Sequence, residues 1–176
     1  MIKNLSGKIR KATTAAFKKA LDEFGKDKLT GFALYSDESA MSLIAAINTD
    51  AHLQAAIKRH PKDWVNYQWS PPEWKDEAYQ GSLFEDLNNE LYDNEDENGG
   101  DDEKFEEFTE TFFKECVNAL LEVKKIVPKD IHKDFVLLFD ISDYEDTDEL
   151  VKWAKKLNSP KKAREFQKIM EDAFGD

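Results

Sequence analysis

Residues 135–141 read Phe-Val-Leu-Leu-Phe-Asp-Ile, apolar at six of seven positions. A strand that does not alternate offers no face to water, so this one needs cover on both sides. It predicts a central strand with helices packed around it. Asp140 is the one interruption, and a carboxylate there either satisfies backbone N–H groups at a strand end or does chemistry.

Helices to supply that cover are legible elsewhere. Residues 105–127 place Phe105, Phe108, Phe112, Cys116, Leu120 and Val123 on one stripe, the longest amphipathic pattern in the chain. Residues 9–24 carry Ile9, Thr13, Phe17, Ala20, Leu21 and Phe24 at the same spacing, with Gly25 as a stop. Asn48, Thr49 and Asp50 offer N-caps for a helix bearing Leu53, Ala56 and Ile57, which runs to His60 before Pro61. A short helix over 82–92 points Leu83, Phe84, Leu87 and Leu91 inward. Two terminal helices follow at 147–157 and 160–174, the second opening on Pro160, where a missing N–H does no harm.

The remaining strands are shorter. Residues 32–37 and 41–48 form a pair joined by the turn Asp37-Glu38-Ser39-Ala40, and 64–69 has the period-two alternation of a third strand, ended by Ser70-Pro71-Pro72. The expected fold is α+β: a mainly antiparallel sheet of about four strands flanked by helices, in the order α-β-β-α-β-α-α-β-α-α. With 176 residues, 40% of them hydrophobic, the chain suffices for one domain over 1–176 and a substantial core.

Charge is the second strong feature. Residues 85–110 hold thirteen acidic residues and one lysine, Lys104, which accounts for the whole net charge of −12; the other 24 acidic and 24 basic residues cancel. Its densest part, Asp93, Glu95, Asp96, Glu97, Asp101, Asp102 and Glu103 around Gly99-Gly100, reads as a mobile acidic loop over 93–103. A surface of this kind repels phosphates, so nucleic acid is not an expected partner. A basic protein is. The segment also invites comparison with a calcium loop. A frame from Asn94 gives Asp96, Asn98 and Gly99, yet sets Phe105 where a bidentate Glu belongs, and a frame from Asp93 sets Lys104 there.

Chemistry-bearing motifs are sparse. Cys116 is the one cysteine, which removes intrachain disulfides and cysteine-rich zinc cages, and its place on an apolar stripe makes it a buried thiol. His52 and His60 stand eight apart, too far to clasp one metal from a helix, and His132 is remote in sequence. No Gly-rich phosphate turn, G-x-S-x-G or H-E-x-x-H occurs. No cofactor or metal is expected. Nothing approaches the ~20 apolar residues of a membrane span, and the first eleven residues lack a signal-like apolar run, so a cytoplasmic protein is expected.

Several short pieces resemble a bacterial family of small α+β proteins catalogued only as a domain of unknown function. They are Phe32-Ala33-Leu34-Tyr35-Ser36-Asp37, Asn48-Thr49, Trp69-Ser70-Pro71-Pro72-Glu73-Trp74, the strand from Phe135 to Asp140, and Leu157-Asn158. The resemblance implies no catalytic residues. By analogy, small acidic α+β proteins of this look are similar to immunity proteins that neutralise bacterial toxins.

The functional expectation is therefore a non-enzymatic, immunity-type binding protein. It would hold a basic partner through the acids of 93–103, with Trp69 or Trp74 as an anchor if either is exposed, and as core if not. The alternatives are a hydrolase or transferase using Asp37, Glu73 or Asp140, and a housekeeping protein whose acidic segment aids solubility.

Overall fold

The computed structural model describes residues 2–98 and 102–174. In chain order the elements are α1 (Leu5–Phe24), β1 (Leu29–Asp37), β2 (Leu43–Thr49), α2 (Asp50–Arg59), α3 (Trp64–Trp69), β3 (Asp76–Tyr79), α4 (Glu85–Asn98), α5 (Asp102–Ile126), β4 (Val136–Ser142), α6 (Thr147–Leu157) and α7 (Pro160–Phe174). The class is α+β and the expected order is recovered, with the short α3 inserted before β3. The strands lie in the order β3-β2-β1-β4. β2 is antiparallel to both β1 and β3, while β1 and β4 run parallel.

Local signals set several boundaries. Gly25 closes α1 at φ 79°, in the left-handed region that glycine enters without strain. The Thr49 hydroxyl accepts the His52 backbone N–H and starts α2, and Asp146 does the same for α6 through Glu149. In the β1–β2 turn, Asp37 accepts hydrogen bonds from the Met41 N–H and the Ser42 hydroxyl at 3.1 and 2.6 Å, while Ala40 takes a φ of 54°. Asp37 thus braces a hairpin.

One face of the sheet meets α1 and α5: Phe17 packs edge-on to Phe32, and Phe113 of α5 lies against Phe139 of β4. On the other face Gly31 lies under the Trp74 indole; a Cβ there would sit 2.8 Å from the ring. Trp69 packs against Phe166 of α7. A single apolar cluster runs from Ile9 to Phe166 through all of these.

Three local expectations are corrected. The third strand is β3, and Trp64–Trp69 is helical. The alternation of Val65, Tyr67 and Trp69 with Asn66 and Gln68 is misleading because Gln68 is buried too, its amide donating to the Asp134 carbonyl at 3.1 Å. β4 is covered on both faces as required, yet it is an edge strand rather than a central one. Its open edge is sealed by Asn158, whose Oδ1 accepts the Leu137 N–H at 2.9 Å and whose Nδ2 donates to the Leu137 carbonyl at 2.7 Å. This mimics a neighbouring strand and blunts an edge that would otherwise invite pairing. Asn88 of α4 repeats the device on Leu43 of β2, at 2.8 and 3.0 Å.

The third correction concerns the acidic loop. Asp93 continues α4, which runs to Asn98, and Asp102 and Glu103 open α5. The acids expected in a loop over 93–103 thus sit largely on two helices, and neither calcium frame begins in a loop. Gly99, Gly100 and Asp101 lie outside the described residues.

Candidate functional site

Two regions remain once the residues with structural roles are set aside. The first is the face of α4 and α5. Glu85, Asp86 and Asp93 on α4, and Glu103, Glu106, Glu107 and Glu110 on α5, are exposed. Glu90 is engaged by Lys8 of α1 in an ion pair. Beside Asp93 stands Tyr92, 58% exposed and the most exposed large hydrophobic residue among those described. Helical spacing explains it, since Leu87 and Leu91 turn inward and leave Tyr92 about 100° away from Leu91. The same periodicity read on the sequence would have found it.

The second region is an open cleft of about 710 Å³ where β4 gives way to α6. Trp69 and Ser70 form one wall, Phe166 and Met170 of α7 another, and Tyr144 a third, with Asp140 among them. Tyr144 is held by stacking on Trp153 and an edge contact with Phe113. Asp143 turns the chain out of β4 at φ 60°, a conformation that Asp tolerates better than most residues. Asp143 and Glu145 add two carboxylates to the lining, and among the described residues no lysine or arginine joins them.

Asp140 is unusual in this setting. Burial pushes its carboxyl up to about 6, opposed only by the backbone N–H of Ile141. No side chain among the described residues pairs with it. The Tyr144 phenol is pushed up as well, by burial first and then by Asp146, Glu149 and Glu110, so the cleft mouth is negative. The N-terminus of α6 does not offset this, because it already carries Asp146 as cap with Asp148 and Glu149 in its first turn.

The other sequence candidates take quieter places. Trp69 and Trp74 are 3% and 5% exposed, so the anchor role conditional on their exposure passes to the core reading. Neither indole N–H has an acceptor among the described residues. Asp37 braces its turn, and Glu73 is an exposed residue whose carbonyl lies 2.9 Å from His52 Nε2. The carboxylates Asp37, Glu73 and Asp140 therefore have separate surroundings. His60 stacks on Tyr67, and His132 lies 3.7 Å from Asp50. No group of three metal-ligating side chains occurs among the described residues. Burial pushes the Cys116 thiol well up, away from the nucleophilic thiolate.

A family model described as a domain of unknown function, DUF4303, matches residues 9–159. The chain belongs to the DUF4303 family. No curated protein and no solved structure matches it. The DUF4303 span takes in α1 through α6 and ends before α7. It contains the acidic α4–α5 face, Tyr92, Trp69 and Asp140, while Phe166 and Met170 come from outside it. The pieces that carried the resemblance are now physically placed within DUF4303: Thr49 as a helix cap, Trp74 on Gly31, and Asn158 on the β4 edge.

Proposed function

We propose that this chain is a non-enzymatic binding protein of the immunity type, which occludes a basic cytoplasmic toxin by docking it on the α4–α5 face. The observation that carries the reading is Tyr92. An exposed aromatic lies within the one segment that holds the entire net charge of −12. Tyrosine is among the residues that dominate interface energies, and surrounding charge of one sign steers a partner of the other. The long apolar stripe of α5, with Phe112, Cys116, Leu120 and Val123 all buried, holds that helix firmly to the sheet. A pre-ordered surface loses less freedom on binding.

The test is co-expression with the product of the neighbouring reading frame. Growth arrest by that product alone, relieved by this chain through a purified complex, is the expected result. Tyr92→Ala combined with Glu103→Gln, Glu106→Gln, Glu107→Gln and Glu110→Gln should then abolish relief without loss of folding. Relief that survives those five changes, or a neighbour with no effect on growth, removes the reading.

A further inference from the structure

Asp140 is a carboxylate with no charge partner among the described residues, and it opens onto a cleft rather than into packed core. The surroundings narrow what would pair with it. Two further carboxylates, Asp143 and Glu145, line the cleft with no lysine or arginine among the described residues, so an anion is repelled. Trp69, Tyr144 and Phe166 also line it; Trp69 and Phe166 are core rings, 3% and 2% exposed, while Tyr144 is half-buried and is the ring with surface to offer a cation. The Trp69 ring is fixed by a 5.2 Å contact with Phe166, so the wall is rigid.

We propose that the cleft at the β4–α6 corner binds an alkylguanidinium or alkylammonium group, with Asp140 as its charge partner and the half-buried Tyr144 ring beside it. The site is separate from the α4–α5 face, and the proposal stands whether or not that face docks a toxin. Guanidinium is the better fit, because its planar fork can meet a carboxylate with two hydrogen bonds while one face lies against an aromatic ring. The group arrives either at the end of a partner's arginine or lysine side chain or on a free small amine.

The experiment uses the full 15N-labelled chain and follows the Trp69 indole N–H. Nα-acetyl-arginine amide should shift it saturably with an affinity of roughly 1–10 mM, as befits a single side chain. The citrulline analogue, equal in shape and uncharged, should bind at least about tenfold more weakly. Butylguanidine and a short arginine-centred peptide separate the sources: equal affinity identifies the free amine as sufficient, and a gain of tenfold or more for the peptide identifies a protein side chain. Asp140→Asn should abolish the shift by arginine amide while leaving the rest of the spectrum in place. Should that variant not fold, the Asp140 carboxyl carbon of the native chain gives the same answer. Its titration must move to lower pH with saturating probe, resolved from Asp143 and Glu145, the other carboxylates that face the cleft. No saturable shift with either charged probe, an equal response to citrulline, or an unmoved Asp140 titration overturns the proposal.

Discussion

The α4–α5 face and the β4–α6 cleft are both acidic, and their charges obey different physics. Glu103, Glu106, Glu107 and Glu110 stand in water, where each costs little and all contribute to one long-range field. Asp140 is largely withdrawn from water, acts over a few ångströms and is held at a cost to the fold that shows as its raised pKa, about 6 against an ordinary 3.8. The first arrangement suits the speed of encounter, the second the selection of one chemical group. Counting acidic residues would have ranked the first region alone.

The widest separation between the two regions should come from their aromatics. Trp69→Ala removes a cleft wall that is also core, and a loss of about 3–5 kcal/mol in denaturant unfolding is expected. Tyr92→Ala, by contrast, should change stability by less than about 0.5 kcal/mol. Equal effects would erase the distinction between a buried wall and an exposed anchor.

Asp140→Asn sharpens the comparison from the other side. Because its folded pKa lies above the unfolded value, the native state binds more protons between roughly pH 4 and 6, and stability falls as pH rises through that window. A shift of this size corresponds to about 2–3 kcal/mol by the time Asp140 is ionised. The Asn variant should therefore be about 2 kcal/mol more stable than the native chain at pH 7 and close to it at pH 4. Denaturation curves at the two pH values read this directly, and a variant destabilised at pH 7 would show the carboxylate to be structural.

Neutralising Glu103, Glu106, Glu107 and Glu110 together should leave stability within about 0.5 kcal/mol of the native chain, with a small gain from relieved repulsion. The same change should lower the association rate with a basic partner and flatten its dependence on salt, as stopped-flow mixing would show. The smallest effect is expected from Asp143→Asn, an acid whose neutralisation should weaken arginine amide binding by less than Asp140→Asn does in the same titration.

Part of this was legible in advance. The α5 stripe, the Gly25 stop, the Thr49 cap and the bounds of α6 and α7 depend on contacts within one or two helical turns, which the sequence carries in full. The demand of residues 135–141 for cover on both faces was equally readable, since it follows from composition alone. Asp140 stood out as the one polar residue in that run.

What only the tertiary structure decided is where each surface comes to rest. The sequence shows that β4 must be covered, but an edge strand closed by the Asn158 amide satisfies that demand as well as a central strand does. β3, with three of its four residues exposed, has no pattern of its own and exists because β2 offers it a ladder. Residues 64–69 alternate like a strand, yet fold as a helix because Gln68 finds the Asp134 carbonyl and Trp69 finds Phe166. Whether Trp69 and Trp74 were core or interface depended on partners such as Gly31 and Phe166, far away along the chain. Asp140 became a site in the same way: its residue type and position are local facts, but the cleft beside it is assembled by α3 and α7. Periodicity and capping are short-range and survive in the sequence, whereas burial belongs to pairs of surfaces and exists only once both are in place.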